Sequence, residues 1–436
     1  MKCINIIHYH LLPGGVTSVI RSQIKSLKQY GNFHIRLITG QCPDPGYYEK
    51  EGVELLQNEV LDYLFDEDHS SDDLTKLYQR ISDFLHENID RNEIIHFHNL
   101  NLGKNPVLTY VIYEMASEGY SVVNHAHDFA EDRPDRMRFL DRIIAEHFGQ
   151  NPEKVLYPGL ENYHYITLNN FDNNRIIDQG IDKNHVHFVP NPVGSIPEDK
   201  RDRKEQLAAK IRKELALDEK KKMVVYPVRA IRRKNIGEFI LLSVILGRQA
   251  EWLITQPPKN PVEIQSYKKW LEFCNVHEIP VVFEAGDKAD FPDLMHAADI
   301  CITTSRREGF GLVFIEPWLF GTPVAGRDIP YVTGDLLQAG MEFPLLYKGL
   351  SIFEQDNEKD FADLGQEDQM EVIRKILSDH KAVDKIIQQN PFIDLLLQNV
   401  PDSMIDKNMD TIKNKFTLEK NKQRLHAIYR RASEEA

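Results

Sequence analysis

The chain has 436 residues, of which 42% are hydrophobic and 28% charged, which is enough apolar material for ordinary globular cores. This length is about three times the commonest domain size, so we expect two domains. Lys and Arg total 53 against 67 Asp and Glu, and the formal net charge of -14 excludes a protein that coats nucleic acid.

No segment approaches the ~20 apolar residues that cross a bilayer, and the first residues lack the long apolar segment of a signal peptide. The four cysteines are scattered, without a CxxC pair that would suggest zinc or a redox couple. These features predict a soluble, cytoplasmic protein without a transmembrane segment.

Short apolar runs alternate with longer amphipathic segments from the first residue to about residue 191. The first run, CINIIHY, is typical of a buried strand, and apolar residues at helical spacing follow it. Because strands that alternate with helices form βαβ units, the pattern predicts a parallel sheet. The further strand candidates in this half are FHIRLITG, EIIHFHN, YSVVNHAHD, YHYITLNN and HVHFVPNP.

A charged, helix-prone stretch over 198–222 interrupts the alternation, which then restarts. We therefore predict an N-terminal Rossmann-like domain over 1–194, a second over 195–405, and a helical tail over 406–436. The strand candidates of the second domain are MVVYPVRA, AEWLITQ, IPVVFEAG, ADICITTS and TPVAGRD. No GxGxxG follows any strand candidate, which disfavours a dehydrogenase.

Two features of the first domain suggest a binding site. Gly14 and Gly15 separate the first strand from a helix, where backbone N–H groups can approach an anion, although a plain tight turn also explains them. His127 follows a strand in NHAHD, where it can donate a hydrogen bond to a substrate hydroxyl. The next residues carry several arginines, either as a solvated face or as a site for an anionic acceptor: Arg133, Arg136 and Arg138.

The second domain carries a basic turn and a pair of glutamates. In YPVRAIRRKNIGE, Arg229 and Lys234 flank further arginines at the start of a helix, which favours a diphosphate site over an exposed basic turn. In SRREGFGLVFIEP, Glu308 and Glu316 are separated by a glycine-rich turn and a helix that we expect to begin near Leu312. Eight positions are a little over two helical turns, so both carboxylates are predicted near one face.

These motifs, in this order, resemble the retaining glycosyltransferases of the GT-B fold, specifically glycosyltransferase family 4. The E-x7-E motif of that family matches Glu308 and Glu316, and its Arg-x4-Lys pair matches Arg229 and Lys234. The resemblance implies two Rossmann-like domains facing a central cleft, with a C-terminal helix that crosses back to the N-terminal domain. It also implies transfer of a hexose from a UDP-, GDP- or ADP-sugar to a hydroxyl of a soluble acceptor.

The resemblance further implies a role for each matched position. Arg229 and Lys234 would hold the donor diphosphate, and Glu316 would bind the ribose hydroxyls. Glu308 would hold the donor sugar together with the backbone of the glycine-rich turn, and His127 would contact the transferred sugar. Gly14 and Gly15 would approach the diphosphate from the N-terminal domain. The residues of that turn are Gly309, Phe310, Gly311 and Leu312.

No metal and no other cofactor is expected, because the acidic DED at 66–68 has no strand before it and is interpreted as solvated. The partners are then a nucleotide sugar and a small hydroxylated acceptor, and a homodimer is compatible with the sequence. Two alternatives stay open: a sugar-nucleotide epimerase or phosphorylase of the same fold, and a non-catalytic protein that binds sugar nucleotides.

Overall fold

The computed structural model describes residues 3–30, 33–65, 69–194, 196–354 and 357–434. It divides the chain into two compact units, with one boundary after Gly194 and another between Lys415 and Phe416. The acidic DED at 66–68 lies outside the described residues, so its predicted solvation stays a prediction. Each unit is described below by itself.

The first domain is built on seven strands: β1 (Cys3–His10), β2 (His34–Gln41), β3 (Glu54–Gln57), β4 (Ile94–His98), β5 (Ser121–His125), β6 (Tyr163–Thr167) and β7 (Val186–Phe188). They form one parallel sheet in the order β3-β2-β1-β4-β5-β6-β7. The strand β3 was not predicted, because ELLQ is a four-residue edge strand without a long apolar run.

The helices of this domain are α1 (Gly15–Tyr30), α2 (Pro45–Lys50), α3 (Ser71–Asn88), α4 (Pro106–Ser117), α5 (Pro134–Asp141), α6 (Pro152–Leu156) and α7 (Asn170–Asp178). Helices cover both faces of the sheet, as the alternation of β1 requires. Ile4 and Ile6 pack into one apolar cluster, whereas Ile7 and Tyr9 pack into the other.

The second domain has six parallel strands and a hairpin: β8 (Lys222–Arg229), β9 (Ala250–Gln256), β10 (Val281–Val282), β11 (Ile300–Thr303), β12 (Val324–Arg327), β13 (Leu345–Tyr347), and the hairpin strands β14 (Ser351–Glu354) and β15 (Asn357–Asp360). The sheet order is β10-β9-β8-β11-β12-β13. Each sheet thus contains the doubly wound strand order of a Rossmann domain, and the prediction of two such domains is confirmed.

The helices of the second domain are α8 (Lys204–Leu215), α9 (Ile236–Leu246), α10 (Pro261–Val276), α11 (Ala285–Lys288), α12 (Phe291–Ala297), α13 (Glu316–Leu319), α14 (Pro330–Ala339), α15 (Gln366–Ser378), α16 (His380–Gln389) and α17 (Asp402–Lys415). The last of these belongs to this domain, because Arg201 pairs with Asp406 at 2.7 Å and the Asn408 amide donates to the Glu342 carbonyl at 2.9 Å.

The final helix, α18 (Leu418–Glu434), packs on the sheet of the first domain. The Tyr429 hydroxyl lies 2.7 Å from Nδ1 of His96, and the Ser121 hydroxyl donates to the Ala432 carbonyl at 3.0 Å. The predicted crossing back of the C-terminal helix is therefore confirmed. The change of domain occurs at Phe416 rather than at residue 406, because α17 and α18 are alike in composition and only their packing separates them.

Candidate functional site

The turn that follows β8 fixes the position of Lys234. A short 3₁₀ helix over Arg232–Lys234 leads into α9, and the Lys234 carbonyl accepts hydrogen bonds from the Tyr226 hydroxyl at 2.7 Å and from Thr304 Oγ1 at 3.1 Å. Both donors come from the ends of neighbouring strands, β8 and β11. The backbone of this turn is therefore held by the sheet itself.

The side chain of Lys234 forms an ion pair with Glu308, and both groups are shielded from water. The carboxylate is only 7% exposed, and Nη1 of Arg233 donates to its second oxygen at 2.9 Å. Burial by itself raises the pKa of Glu308, but the charges of Lys234 and Arg233 together hold it below its ordinary value. Burial also lowers the pKa of Lys234. The result is an ionised carboxylate with two cations around it.

The other basic residues of this turn are arranged differently. Arg229 is exposed at the end of β8, and Arg232 lies 3.8 Å from Glu263 on α10. The structure thus brings Lys234 and Arg233 onto Glu308, whereas Arg229 stays open to solvent.

The glycine-rich turn after Glu308 has a backbone conformation that a larger residue resists. Gly311 has φ of +82°, and a Cβ there would lie 2.5 Å from Cγ1 of Val332. The Tyr331 hydroxyl bonds to both backbone groups of Glu308, at 3.0 Å to the nitrogen and 2.8 Å to the oxygen. Phe310 is buried beside them. The turn is therefore fixed from two sides.

The segment beyond this turn differs from the single helix that the spacing predicted. A 3₁₀ turn over Leu312–Phe314 precedes α13, which begins at Glu316 and has four residues. The prediction of two carboxylates on one helical face is therefore wrong, because the left-handed Gly311 separates Glu308 from any helix. Within the described chain, Glu316 makes no hydrogen bond or ion pair, and burial raises its pKa to about 6.

In the first domain, His127 lies just beyond β5 and is held by two neighbours. Its Nε2 is 3.0 Å from Nδ1 of His98, and its backbone N–H donates to Oδ1 of Asn99. Nε2 of His98 is buried without a partner. A bare nitrogen is tolerated there better than an unpaired N–H, so His98 donates from Nδ1 and His127 carries its own proton on Nδ1. Burial lowers the pKa of His127 to about 3, which keeps the ring neutral.

His98 belongs to a buried layer of stacked imidazoles on β4 and β5, next to His8 of β1. Nδ1 of His8 donates to the His98 carbonyl at 2.9 Å, and His96 lies 3.3 Å from His125. Burial lowers the pKa of His8 and of His96 to about 3. Among the described residues, His96, His98 and His125 are the group that could hold a metal ion, with ligand atoms within 4.8 Å of one another.

Gly14 and Gly15 stand at the start of α1 without any strain that would require glycine. Neither has a positive φ, and a Cβ added to Gly15 would meet nothing within 4 Å. A Cβ added to Gly14 would lie 3.7 Å from the Leu12 carbonyl oxygen, an ordinary contact, so the space is open beside Gly15. This openness suits the close approach of a ligand better than a packing role.

The three arginines predicted for an acceptor are not equivalent. Arg133 pairs with Asp128 at 3.2 Å, and Arg136 is partly buried with its Nη1 unpartnered. Arg138 instead pairs with the exposed Asp135 on the surface of α5. Arg138 is thus more exposed than Arg133, at 71% against 46%, and its role in acceptor binding stays a prediction.

Sequence reasoning missed two residues that hold the predicted ones in place. His98 could have been found from the sequence, because β4 ends in HFH and the NHAH at the end of β5 carries histidines at the same spacing. Since the two strands are adjacent in the sheet, these histidines lie side by side. Tyr331 gave no comparable signal, because it is 23 residues from Glu308 in a segment without polar periodicity. No helix within the described ranges is long and apolar enough to span a membrane.

The second domain is similar to a known protein family. The pattern of the family described as Glycosyl transferases group 1 matches residues 208–390. The matched residues all lie in the second domain. That domain contains Arg229, Lys234, Glu308 and Glu316.

The similarity to one relative covers more of the chain than the group 1 match does. The chain is 29% identical over 328 residues, or 72% of its length, to the mannosylglucosyl-3-phosphoglycerate synthase of Petrotoga mobilis. The match spans 63% of that relative's own length.

Solved structures agree with this fold over nearly the whole chain. The HepE protein of Anabaena, solved in complex with UDP-glucose, superposes with a TM-score of 0.59 at 14% identity, over 98% of this chain and 99% of that one. Sucrose-phosphate synthase from Thermosynechococcus elongatus gives 0.60 at 15% identity, over 99% and 98%. The chain therefore has the GT-B fold, and the resemblance to GT-B glycosyltransferases is confirmed. Membership of family 4, retention of configuration and the site residues stay predictions.

Proposed function

We propose that this protein is a retaining glycosyltransferase that moves a hexose from a nucleotide diphosphosugar to a hydroxyl of an anionic acceptor. The observation that carries the proposal is the buried Lys234–Glu308 pair, with Arg233 beside it and the fixed turn at Gly311 following it. A buried ion pair contributes little to stability on its own, so its retention at a turn between two strand ends favours a functional role.

The donor side of the proposal rests on charge that is already in place. Lys234 and the exposed Arg229 would hold the diphosphate and offset the negative charge that grows as it leaves. Glu308 would accept hydrogen bonds from the sugar, and the unpartnered carboxylate of Glu316 would accept them from the ribose. A structural neighbour solved with UDP-glucose supports a nucleotide sugar as donor. UDP-, GDP- and ADP-sugars all remain candidates.

The transfer step needs no carboxylate nucleophile. The acceptor hydroxyl oxygen bonds to the anomeric carbon on the face from which the diphosphate departs, and the bond from that carbon to the phosphate oxygen breaks. The hydroxyl proton passes to the leaving phosphate. The neutral His127, which carries its proton on Nδ1, would donate a hydrogen bond to the transferred sugar. Because the new bond forms on the same face, configuration is retained.

The acceptor is proposed to be a small, soluble and anionic molecule. Two arginines, Arg133 and Arg136, follow His127 in the sequence and can bind an anion. The relative from Petrotoga mobilis is a mannosylglucosyl-3-phosphoglycerate synthase, and phosphoglycerate is a phosphorylated acid. The cytoplasmic location, a reaction without metal and a homodimer belong to this same proposal.

The first test is donor binding followed by turnover. Purified protein is screened against UDP-, GDP- and ADP-sugars by thermal shift, because a ligand that binds the folded state raises the melting temperature. The stabilising donor is then incubated with and without phosphorylated acceptors, in the presence and absence of EDTA. We expect nucleoside diphosphate to be released only when acceptor is present.

The alternatives give other results. An epimerase converts the donor without any acceptor, and a phosphorylase requires inorganic phosphate. A non-catalytic protein binds the donor but does not turn over with any acceptor. Any of these outcomes would replace the proposed function, and loss of activity with EDTA would contradict a metal-free reaction.

A further inference from the structure

In the first domain, three cations form a cluster whose positive charge exceeds the negative charge of the nearby acids. They are Lys104, Arg133 and Arg136. Lys104 lies between β4 and α4 and is partly buried, with its ammonium 5.1 Å from the centre of the Tyr63 ring. The backbone there is fixed, because the Lys104 carbonyl accepts from the Leu64 N–H at 2.9 Å. Sequence analysis did not single out this lysine, which stands alone in NLGKNP.

Arg136 lies close enough to Lys104 and Tyr63 for its charge to act on both, and its guanidinium is not fully hydrogen-bonded. Its Nη1 is buried without a hydrogen-bond partner, and its guanidinium carbon lies 5.2 Å from the centre of the Phe139 ring. A buried donor without a partner costs free energy, which a bound acceptor group would recover. A phosphate oxygen beside this atom would satisfy it.

The charges of the cluster do not balance. Asp62 and Asp128 are the nearby acids, and Asp128 is already paired with Arg133 at 3.2 Å. Within the described chain, neither Lys104 nor Arg136 has a carboxylate within 4 Å. The pKa of Lys104 falls to about 8, first through burial and then through the positive charges of Arg136 and Arg133, with Asp128 offsetting them only in part. His10 and Tyr63 also face this lysine.

We propose that Lys104, Arg133 and Arg136 form the binding site for a phosphate monoester on the acceptor. This inference rests on the proposed function, since it names the anion that the acceptor carries. Two guanidiniums offer planar pairs of N–H donors and the ammonium adds a point charge, a combination that suits the three oxygens of a phosphate. Arg138 is not included in the site, because its side chain is 71% exposed and, unlike those of Arg133 and Arg136, its charge does not lower the pKa of Lys104.

The test uses inorganic phosphate as the probe, without donor or acceptor. Binding to the full chain is measured by calorimetry at constant ionic strength, in the wild type and in Lys104→Gln, Arg136→Gln and Arg138→Gln. The last is a matched control, because it removes the same charge from α5 two residues away. We expect Lys104→Gln and Arg136→Gln each to weaken binding about tenfold or more, the effect of one charged hydrogen bond, and Arg138→Gln to leave it nearly unchanged. Any phosphate binding that Lys234→Ala removes belongs to the second domain.

The wild type gives an independent measurement if a variant does not fold. Since free Lys104 loses its proton near pH 8, phosphate affinity should fall severalfold between pH 7.5 and 9, even though the dianionic fraction of phosphate increases over that range. Lys104→Gln should remove this decline. A wild-type affinity that does not change over this range, or equal binding by all three variants, would overturn the site.

The site and the proposed function fail in different ways. If the phosphate pattern holds but no acceptor is glycosylated, the site stands and the transferase proposal fails. If sugar transfer is found but the acceptor KM is the same in Lys104→Gln, Arg136→Gln and Arg138→Gln, the transferase stands and this site is overturned.

Discussion

The two domains bury polar side chains at their strand ends in opposite ways. In the first domain, stacked imidazoles such as His96 and His98 are kept neutral and bond to one another and to neighbouring groups. In the second, Lys234 and Glu308 are kept charged and neutralise each other. The difference shows what each domain can supply. The imidazole layer supplies hydrogen bonds without charge, and the basic turn supplies the cations beside the neutralised pair, Arg233 and the exposed Arg229, which can meet a diphosphate.

The largest expected effect is the response of the first domain to acid. The pKa of His8, His96 and His127 is lowered to about 3, and that of His98 and His125 is also lowered, all mainly by burial. Unfolded histidines take up protons below about pH 6.5 while the folded ones do not, so stability is lost as the pH falls from 6.5 towards 3. The loss is about 1.4 kcal/mol per pH unit for each such histidine.

This effect can be measured one domain at a time. All three tryptophans, Trp252, Trp270 and Trp318, lie in the second domain, so their fluorescence reports on that domain alone, whereas circular dichroism reports on both. At pH 5.5, we expect the circular dichroism to change at a lower urea concentration than the fluorescence. At pH 7.5, the two urea midpoints should lie closer together. His96→Gln should reduce the difference between the two urea midpoints at pH 5.5. Coincident curves with the same midpoint at both pH values would contradict the neutral layer.

Lys234→Ala tests the charged pair. Removing a cation that stabilises the departing diphosphate should lower kcat about 10²–10³-fold, as loss of one preorganised electrostatic group does in other enzymes. Steady-state kinetics with saturating donor is the measurement, and Lys269→Ala is the matched control, because Lys269 pairs with Glu367 on the surface. Near-normal kcat in a folded Lys234→Ala protein would remove Lys234 from the mechanism.

His98→Leu tests how the neutral layer holds His127. Without the Nδ1–H of His98, the buried Nε2 of His127 loses its partner, and we expect kcat to fall about tenfold or more. His98→Asn keeps a donor near the same position and should recover most of the activity. The ¹⁵N chemical shifts of His127 should report a proton on Nδ1 in the wild type and a mixture in His98→Leu. Unchanged shifts in that variant would mean that His98 does not set the tautomer.

Glu316→Gln has the smallest expected effect and concerns the carboxylate that lacks a partner. Because burial raises the pKa of Glu316 to about 6, its carboxylate is lost as the pH falls through 6, and nucleotide affinity should drop a few fold between pH 7.5 and 5.5. Glu316→Gln should remove this dependence. The same variant should be more stable at pH 7.5 by about 1–2 kcal/mol, since a raised carboxyl pKa destabilises the fold above it.

The matched control for that variant is Glu367→Gln, because Glu367 is exposed and paired with Lys269. It should keep the pH dependence of nucleotide binding. If both variants behave like the wild type, Glu316 does not bind the nucleotide.

The sequence correctly predicted whether a segment is a strand or a helix wherever its apolar residues recur with a single period. The run CINIIHY and the helical spacing of Ile20, Ile24 and Leu27 correctly predicted β1 and α1, because a strand alternates with period 2 and a helix with 3.6. The strand β13, the hairpin β14–β15 and the edge strand β3 were missed, since strands of three or four residues are too short to show such a period.

The sequence by itself determined the two Rossmann-like domains, and its resemblance to a known family implied the crossing helix. Only the tertiary structure decided which side chains meet. Lys234 and Glu308 are 74 positions apart, and His98 and His127 are 29 apart, so their pairing depends on which strands are neighbours in the sheet. Lys104 stands out only beside Arg136, because burial and crowding of like charge arise when distant segments pack together.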